Sequence, residues 1–419
     1  MAFLLKLIKL PGLNKKKIIN DPLYGFIVVP NDLIFDLINH PYFQRLRRIR
    51  QLGLTDFVYP GALHTRFHHA LGAMHLMVET MDNLRQKGVE VSPNEYTASL
   101  AAMLLHDIGH GPFSHALENN LIPGLSHEEI SSVLIDSLND QFDGALNLAT
   151  KIFSQKYSRP FFNQLVASQL DIDRLDYLNR DSYFTGVVEG RIGAERIIKL
   201  LAVKNDEIAI EEKGVYSVEN FLSARRLMYW QVYLHKTVVG VEALLRQIFL
   251  RAREIRSDSI SRNEALAYFL NNQVGLSELR SRPEILDLFC SLDDHDIIVA
   301  LKEWVRYPDP VLSCLSSMLL ERRLMRVKLT ERAVSESVVC ELKKAVESLG
   351  ILPPEFTDHL VLSGTKSNKA YIGGGQKIAV LKRDGSVMDI AQAADLPNIR
   401  AMSKIVVKHY LCWPKTLHL

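Results

Sequence analysis

The chain has 419 residues, of which 47% are hydrophobic and 23% are charged, a composition typical of globular proteins. This length predicts two or three domains, or one large helical domain with an appendage. Lysine plus arginine total 50 and aspartate plus glutamate total 48, so the net charge of +2 gives no global attraction to nucleic acid or to a membrane. Any binding of anions must therefore come from local clusters of cations.

The cysteines and the N-terminus bear on the cellular compartment. The cysteines lie far apart in the C-terminal third without a CxxC spacing, which favours reduced thiols in a cytoplasm over a zinc knuckle or a disulfide scaffold: Cys290, Cys314, Cys340 and Cys412. Lys6, Lys9 and Pro11 interrupt the first apolar run, so no signal peptide is predicted. No later apolar run reaches the ~20 residues of a membrane span. We therefore expect a cytoplasmic protein with no membrane partner.

The first half of the chain is predicted to be mainly helical. Apolar stretches punctuated by turn residues predict a strand pair between Ile18 and Asp32. A helix that ends at Gly53 is predicted from four apolar residues at helical spacing: Phe43, Leu46, Ile49 and Leu52. The same periodicity predicts four further helices: His68–Lys87, Glu95–Ile108, His127–Leu138 and Phe161–Arg180.

The second half adds short β elements. Val203–Val215 predicts a hairpin that turns at Asn205-Asp206, and Val218–Glu254 predicts one long helix. After Pro353 the pattern predicts a hairpin around Asp384-Gly385, a helix at Ile390–Ala394 and a strand at Ser403–Val407. Thr365–Gly375 is polar and Gly-rich, and Gly373-Gly374-Gly375 predicts a flexible connection rather than a phosphate loop. The predicted fold class is mainly α, with a helical domain over residues 1–355, which includes the strand segment and a hairpin, and a small α+β module over residues 356–419.

The strongest local signal is the sequence LLHDIGHGPFSH, which runs from Leu104 to His115. An apolar helix delivers His106 and Asp107 at its C-terminal end, and adjacent helical residues point about 100° apart, so both can bind one ion between them. His110 lies one turn further along the same face. Such ligands suit a divalent transition ion with open positions for water and substrate. A lone His-Asp pair at a helix end is more often a capping feature, but three histidines and an aspartate within ten residues favour the metal site.

Two further clusters contain the same residue types. The first, HTRFHHALG, holds an arginine among three histidines: His64, Arg66, His68 and His69. In the second, QLDIDRLDYLNRD, one helical stripe contains Asp173, Tyr177 and Asp181, and a different stripe contains an ion pair of Asp176 and Arg180. The alternative for the second cluster is a solvated helix with surface salt bridges. Its apolar residues argue instead that one side is buried: Leu170, Ile172, Leu175 and Leu178.

The order of these motifs resembles that of the HD phosphohydrolase superfamily, and in particular its dNTP triphosphohydrolases. The resemblance covers roughly Lys15 to Leu250 and rests on an ordered set of motifs: NDPLYGFI, FQRLRRIRQLG, HTRFHHALG, LLHDIGHGPFSH, SHEE, DIDRLDYLNRD and YLHK. It implies an HD-type helical core. It also implies hydrolysis of a dNTP to a deoxynucleoside and triphosphate, by attack at the α-phosphate.

The resemblance further implies the residues of a metal centre and of the catalytic machinery. It implies four ligands of one divalent transition ion, Mn²⁺, Fe²⁺, Ni²⁺ or Zn²⁺: His69, His106, Asp107 and Asp173. Imidazole is a softer ligand than Mg²⁺ prefers, so Mg²⁺ is expected only with the substrate. The residues implied to line the reacting phosphate are His110, His115, His127 and Glu128, of which His115 and His127 are expected to handle protons.

The substrate contacts implied by the resemblance divide according to the part of the nucleotide. They are Arg66 and Arg174 at the phosphates, Gln51, Tyr177 and Asp181 at the sugar, and Arg225, Tyr229 and Tyr233 on one face of the long helix, toward triphosphate and sugar. Tyr229 departs from the family pattern, which has histidine there, so the preferred base stays open. The resemblance also implies a homo-oligomer, either a dimer or a tetramer.

The sequence also bears on two other kinds of partner, a nucleotide effector and nucleic acid. In several relatives a nucleotide between subunits switches activity on, so a nucleotide effector is a candidate partner. The acidic segment Glu207–Lys213 lies where activator-gated relatives carry basic residues, which argues against an identical activator site. Four arginines lie in a predicted helix beside the site: Arg45, Arg47, Arg48 and Arg50. We expect them to form structural ion pairs or to bind an effector phosphate, and we do not expect nucleic acid as a partner.

Three functions remain open on the sequence alone. The leading one is a dNTP triphosphohydrolase. The second is another HD phosphohydrolase, acting on a nucleotide monophosphate or an alarmone. The third is a nucleotide sensor without turnover. The intact set of metal ligands argues against the sensor, and the sugar-facing residues with Arg225 argue mildly against the second enzyme.

Overall fold

The structure is a computed structural model that describes residues 17–257, 259–368, 377–394 and 406–417, with side chains throughout these ranges except at positions 115, 119, 367, 368 and 406. It is 59% helical with a few small sheets, which confirms the predicted mainly α class. None of the described helices is long and apolar enough to cross a membrane.

The described helices and strands are numbered in chain order. The helices are α1 (Asp32–Asn39), α2 (Pro41–Gln44), α3 (Arg66–Gln86), α4 (Pro93–Leu105), α5 (Glu118–Leu121), α6 (His127–Gln141), α7 (Asn147–Phe153), α8 (Pro160–Val166), α9 (Ile172–Thr185), α10 (Ala194–Leu200), α11 (Val215–Met228), α12 (Lys236–Ile255), α13 (Glu264–Asn271), α14 (Leu276–Ser281), α15 (Pro283–Ser291), α16 (Asp294–Trp304), α17 (Pro310–Leu320), α18 (Glu336–Glu347) and α19 (Ile390–Ala393). The strands are β1 (Ile18–Asp21), β2 (Gly25–Val28), β3 (Leu201–Lys204), β4 (Glu207–Glu211), β5 (Arg326–Thr330), β6 (Leu362–Asn368), β7 (Ala379–Leu381), β8 (Val387–Asp389) and β9 (Val406–Trp413).

The predicted N-terminal strand pair is confirmed as the antiparallel hairpin β1–β2. Oδ1 of Asp21 accepts hydrogen bonds from the backbone N–H groups of Leu23 and Tyr24, at 2.9 and 3.0 Å, and these bonds close the turn. Gly25 completes the turn at φ +74°, in the left-handed region that glycine adopts without strain. The turn leaves the other oxygen of Asp21 available to a partner on α9.

The prediction of a helix that ends at Gly53 is wrong. The structure has the single turn α2, a 3₁₀ turn over Arg45–Arg48, and then an extended residue, Ile49 (φ −117°, ψ 116°). The helix stops because the next residues pair with another segment: Arg50 forms a bridge with Thr65, and its N–H donates to Asp294 Oδ2 at 2.9 Å. Tertiary hydrogen bonds therefore override the helical spacing of the apolar residues.

Two other predicted helices are interrupted. Phe161–Arg180 is divided into α8 and α9, because Asp171 caps α9 by accepting the N–H groups of Arg174 and Ser168, both at 2.8 Å. The long helix Val218–Glu254 is divided into α11, a π-helical turn over Tyr229–Tyr233, and α12. His235 starts α12, since its Nδ1 accepts the N–H of Thr237 at 3.2 Å.

The predicted helices at His68–Lys87, Glu95–Ile108 and His127–Leu138 are confirmed as α3, α4 and α6, although α4 already ends at Leu105. Helix α3 packs against both α4 and α9. Small residues on its buried face, including Ala70, Gly72 and Ala73, allow these neighbours to approach closely. This packing brings the N-terminal part of α3, the end of α4 and the start of α9 together.

The predicted hairpins are confirmed, and both join a larger sheet. Strands β3 and β4 turn at Asn205 and Asp206, which both have positive φ, and β7 and β8 form the hairpin around Asp384-Gly385. Strand β4 pairs in parallel with β7, so the sheet order is β3-β4-β7-β8. The predicted helix at Ile390–Ala394 is confirmed as α19.

A second sheet has the order β5-β9-β6, with antiparallel pairing throughout. Strand β6 extends to Asn368 and pairs with β9, and the predicted flexible connection at Gly373-Gly374-Gly375 lies outside the described part of the chain. In the predicted strand Ser403–Val407, the described part begins at Val406 as β9. The proposed boundary between residues 355 and 356 stays a prediction, and strands on its two sides pair in both sheets.

Candidate metal centre and active site

Three helices bring the four residues of the predicted metal centre together. His69 lies on α3, His106 and Asp107 follow the last residue of α4, and Asp173 lies in the first turn of α9. Nε2 of His69 is 3.3 Å from Nε2 of His106, 3.1 Å from Oδ1 of Asp173 and 3.7 Å from Oδ2 of Asp107. Nε2 of His106 is 3.5 Å from Oδ1 of both Asp107 and Asp173.

The donor atoms of His69, His106 and Asp173 lie close enough together to bind a single divalent ion, and Asp107 lies beside this group, next to His110 and His127. Donors about 2.1 Å from a common ion lie about 3.0 Å apart at right angles and about 3.4 Å apart at the tetrahedral angle. Backbone and side-chain partners also fix the two rings. Nδ1 of His106 donates to the carbonyl of Met103 at 2.7 Å, and Nδ1 of His69 donates to Oδ2 of Asp176 at 2.8 Å. Both Nε2 lone pairs therefore face the centre, as metal ligation requires.

A buried ion-pair network supports His69 from behind. Arg180 donates two hydrogen bonds to Asp176, each 2.9 Å long, which confirms the predicted pair, and a third of 2.8 Å to Oδ2 of Asp21. The three charged side chains are almost completely buried. Gly72 makes room for this network, because a Cβ at that position would overlap both Asp176 and Arg180. The network fixes the orientation of His69 and makes its Nε2 a stronger donor to a cation.

The electrostatics of the centre favour a cation. Burial alone would lower the pKa of His69, but hydrogen bonds to Asp173 and Asp176 outweigh burial and raise it to about 10. Burial opposes ionisation of Asp173, but hydrogen bonds from His106 and His69 lower its pKa well below the ordinary range. The carboxylates thus hold positive charge between them, which in this set of donors a metal ion would supply.

Arg66 links the centre to the loop after α4. Its guanidinium forms an ion pair with Oδ2 of Asp107 and donates from Nε to Oγ of Ser114 at 2.8 Å. Arg66, the predicted phosphate contact, is thus buried against the carboxylate of Asp107, a predicted metal ligand. A guanidinium has five N–H donors, so these bonds leave others for a phosphate.

Three of the four residues predicted to line the reacting phosphate form a second cluster beside Asp107: His110, His127 and Glu128. Nε2 of His110 is 3.4 Å from Oδ1 of Asp107, and the ring of His110 stacks on that of His127 with 3.8 Å between centroids. Glu128 is mostly exposed, with Oε1 3.5 Å from Nε2 of His127. His115 belongs to the 3₁₀ turn Ser114–Ala116, and the position of its side chain lies outside the described part of the structure.

Glu118 is a functional candidate that sequence reasoning missed. Its Oε1 accepts hydrogen bonds from both Nδ1 and the backbone N–H of His127, at 2.6 and 2.8 Å. Burial alone would lower the pKa of His127, but the hydrogen bond to Glu118 outweighs it and raises this pKa. Burial and the charge of Arg66 lower the pKa of His110 well below its ordinary value. Within the stacked pair, protonation is therefore favoured at His127 and disfavoured at His110.

Aromatic side chains line the side of the centre that was predicted to face the sugar. The ring of Tyr177 is 6.5 Å from that of His69 and 6.3 Å from that of Tyr233, and Tyr229 packs 5.2 Å from Tyr233. Burial raises the pKa values of Tyr177 and Tyr233, so both phenols stay neutral. The π turn thus alters the predicted i, i+4, i+8 alignment of Arg225, Tyr229 and Tyr233, but the two tyrosines remain in contact.

Asp181 was also predicted to face the sugar, and it is buried behind this aromatic wall. Its Oδ1 lies 2.7 Å from Nε2 of His64, and its Oδ2 accepts the phenol of Tyr233, also at 2.7 Å. Both carboxylate oxygens therefore have protein partners. This arrangement fixes the position of the Tyr233 hydroxyl at the edge of the site.

The remaining substrate candidates surround the same space. Arg174 is paired with Asp171, and Arg225 donates to Gln169 at 3.3 Å. Among the described residues, Oε1 of Gln51 and Nε of Arg174 are buried without a hydrogen-bond partner. Both atoms are therefore available to form a hydrogen bond with a substrate, Gln51 as an acceptor and Arg174 as a donor.

The four arginines before the site have structural partners. Arg45 is fully buried and donates to the carbonyl of Ile108 at 2.8 Å. Arg47 stacks 3.6 Å above the ring of Phe67, and Arg48 and Arg50 pair with Asp293 and Asp56. These contacts agree with the structural alternative for this group of arginines.

Comparison with known proteins identifies related sequences along most of the chain. The profile of the HD domain matches residues 66–178, and that of the HD associated region matches residues 192–268. A solved phosphohydrolase from Bacteroides thetaiotaomicron is 46% identical, with a TM-score of 0.90, over 96% of this chain and 100% of that one. The uncharacterized protein YwfO of Bacillus subtilis is 30% identical over 97% of this chain and 94% of its own length.

A further relative has a named activity. The deoxynucleoside triphosphate triphosphohydrolase SAMHD1 homolog of Dictyostelium discoideum is 33% identical over 255 residues, which are 56% of this chain and 49% of that protein. The chain therefore matches about half the length of this relative. The two profile matches together contain every predicted site residue except Gln51 and Asp181.

Proposed function

Since the chain belongs to the HD-domain phosphohydrolase family, we propose that it is a dNTP triphosphohydrolase. It would attack the α-phosphate and release a deoxynucleoside and intact triphosphate. The observation that carries the proposal is the convergence of the donor atoms of His69, His106 and Asp173, with Asp107 between them and the hydrogen-bonded pair of His127 and Glu118. The activity named for the related protein of D. discoideum supports the choice of substrate.

The proposed ligands of one divalent transition ion are His69, His106, Asp107 and Asp173. When bound, such an ion supplies positive charge at the phosphate and lowers the pKa of water. The contribution of the chain is to hold the donors in position before substrate arrives. Asp176 and the carbonyl of Met103 do this by fixing the two imidazole rings with Nε2 inward.

His127 is the proposed proton donor to the leaving group. In this reaction the bond between phosphorus and the 5′-oxygen breaks while a bond between phosphorus and a water oxygen forms, and the 5′-oxygen takes up a proton. Glu118 keeps His127 protonated and holds its Nδ1, so the proton at Nε2 is the one available for transfer. The proton of the attacking water passes to solvent. Neutral His110 adds no competing positive charge beside the ring of His127.

The sugar is proposed to lie between Gln51 and the wall of tyrosines. The unpartnered Oε1 of Gln51 can accept a hydrogen bond from the 3′-hydroxyl. The hydroxyl of Tyr233 is already bonded to Asp181, so it has no proton to offer to a 2′-hydroxyl. Burying a 2′-hydroxyl there without a partner would cost about 1–3 kcal/mol, or roughly ten- to a hundredfold in specificity. The phosphates would extend toward Arg66, Arg174 and Arg225.

The test is product analysis with purified protein and Mn²⁺ or Mg²⁺. Anion-exchange chromatography of dGTP and GTP reactions is expected to reveal deoxyguanosine and triphosphate, with dGTP consumed roughly ten- to a hundredfold faster than GTP. Inorganic phosphate and dGDP as first products, or equal rates for dGTP and GTP, would contradict the proposal. A nucleotide panel that includes monophosphates and alarmones tests the alternative activity.

Asp107→Ala is the matching inactive variant. Removal of this carboxylate takes away a proposed metal ligand, so turnover and retained metal should both be lost while circular dichroism stays unchanged. Asp140→Ala, on the exposed side of α6, serves as the control and should keep full activity. Wild-type turnover in the Asp107 variant would mean that Asp107 is not a ligand or that a contaminant produced the activity.

A further inference from the structure

Asp294, the first residue of α16, lies outside both segments matched by the family profiles, yet its side chain reaches the candidate site. Oδ1 accepts the backbone N–H of Phe113 at 2.7 Å, and Oδ2 accepts the backbone N–H of Arg50 at 2.9 Å. The residue is only 4% exposed. One buried carboxylate therefore connects two segments that approach the centre from different parts of the chain.

Both of these segments carry residues of the proposed mechanism. On one side, Phe113 and Ser114 have φ values of 50° and 45°. This left-handed backbone conformation is energetically unfavourable for residues other than glycine. Ser114 accepts the hydrogen bond from Arg66 and precedes His115. On the other side, Arg50 precedes Gln51, the proposed contact of the 3′-hydroxyl. A carboxylate that holds both backbones would fix the distance between the proton-handling loop and the sugar subsite.

The start of helix α16 does not explain this carboxylate. The helix is capped by Asp293, whose side chain accepts the N–H of His295 at 2.9 Å. Asp296 completes the capping box by accepting the N–H of Asp293 at 2.8 Å. Among the described residues, Asp294 has no ion-pair partner within 4 Å, and both of its hydrogen bonds come from backbone N–H groups. The charges of Arg50 and Arg45 act on Asp294 from beyond ion-pair distance, so the direct partners of its carboxylate are the two backbone N–H groups.

We propose that Asp294 is a positioning residue, which holds the loop over Gly111–Ser114 and the segment of Arg50 and Gln51 in the geometry that hydrolysis requires. The inference rests on the proposed phosphohydrolase function. Asp294 does not touch the substrate and acts only through the backbone of Phe113 and Arg50. Burial raises the pKa of Asp294 to about 6, and the two N–H donors limit that increase, which agrees with an ionised group kept for its two acceptor oxygens.

The test compares Asp294→Asn and Asp294→Ala with Asp296→Asn, a control that weakens the cap of the same helix without reaching the site. The amide of asparagine keeps one acceptor and replaces the other by a donor that faces an N–H group, and alanine removes both. We expect kcat to fall roughly ten- to a hundredfold in the Asp294 variants, because misplacement by about 1 Å can cost that much. The bound metal and the KM for the nucleotide should change much less.

Hydrogen exchange provides a readout that is independent of turnover. Peptides over residues 107–117 and peptides that contain Arg50 and Gln51 should exchange faster in both Asp294 variants and at the wild-type rate in Asp296→Asn, with peptides over the rest of the chain unchanged. Wild-type kcat and wild-type exchange in the Asp294 variants would overturn the proposal, as would an equal effect of Asp296→Asn. If the wild-type protein hydrolyses no nucleotide, the proposed function fails, and the exchange data alone still decide whether Asp294 holds the loop.

Discussion

Gly72 supports the metal centre through the absence of a side chain. A Cβ at this position on α3 would overlap Asp176 and Arg180. The substitution Gly72→Ala is therefore expected to displace Asp176 from Nδ1 of His69. Loss of such an outer partner typically weakens metal binding or activity about 10- to 100-fold. Competition with a chelator measures the metal affinity.

The control for this variant is Gly193→Ala, where the added Cβ would meet only Cβ of Arg196, at 3.9 Å. That variant should bind metal as the wild type does. Wild-type metal affinity in Gly72→Ala would mean that the Asp176–Arg180 pair does not orient His69.

Asp294 also leads to a prediction about stability and pH. Its folded-state pKa of about 6 lies above the ordinary value because burial outweighs the two N–H bonds. A raised carboxyl pKa favours the folded state fully below about pH 4, and this contribution is lost as the pH rises through 6. The loss amounts to about 3 kcal/mol of the free energy of unfolding. Asp294→Asn should remove this part of the pH dependence.

Urea unfolding of both proteins at several values between pH 4 and pH 7.5 measures the difference. The contribution of every other titrating group cancels in the comparison, since only residue 294 differs. Parallel curves for wild type and Asp294→Asn would show that the carboxyl has an ordinary pKa.

At the scale of single residues, the sequence predicted the groups that lie in dense motifs. His69, His106 and Asp173 lie together in the structure with Asp107 beside them, their role as metal ligands stays a prediction, and the i, i+4 pair of Asp176 and Arg180 is present. Glu118 and Asp294 could not be predicted in this way, because each acts through one or two hydrogen bonds that exist only after distant segments pack. No spacing rule links Asp294 to a loop that precedes it by 181 positions.

At the scale of elements, the periodicity of apolar residues predicted where helices lie better than where they end. Helices α8 and α9 share one continuous helical pattern in the sequence, and the side chain of Asp171 divides them. The π turn between α11 and α12 is equally invisible to a periodicity argument. Both interruptions lie beside the site, where tertiary contacts outweigh local preference.

Helix α4 illustrates a boundary that local chemistry does define. Ser92 and Glu95 form a capping box in which Oγ of Ser92 accepts the N–H of Glu95 at 3.3 Å and Oε2 of Glu95 accepts the N–H of Ser92 at 2.8 Å. Ser92→Ala is expected to lower the free energy of unfolding by about 1 kcal/mol. Activity should stay at the wild-type level, because His106 and Asp107 lie at the opposite end of the helix.

Urea unfolding and a dNTP assay on the same preparation test this prediction, with Ser92→Thr as a control that retains the hydroxyl. A large loss of activity in Ser92→Ala would mean that the cap influences the metal centre through the whole length of the helix.

At the scale of the whole molecule, the C-terminal segment is built into the sheets of the rest of the chain. Strand β9 lies between β5 and β6, and β7 extends the hairpin of β3 and β4. Removal of residues 406–419 would leave β5 and β6 without their common partner. We expect that deletion to lower the unfolding temperature by several degrees, since a loss of even about 1 kcal/mol has a visible effect on a melting curve.

The matched control is a shorter deletion of residues 414–419, which keeps β9 complete. That protein should melt near the wild-type temperature. An unchanged melting temperature after removal of β9 would instead support an independent module beyond residue 355, as the sequence alone predicted.

The central position of β9 also has a consequence for protein synthesis. The ribosome makes β5 and β6 first, and the interval between β5 and β9 lasts roughly 4 to 15 seconds at ordinary elongation rates. During that interval β5 and β6 have an unpaired edge, and such edges are templates for association with other chains. A stalled or truncated translation product would therefore have these edges permanently open, so we expect nascent chains that stop before β9 to depend on chaperones or to be degraded.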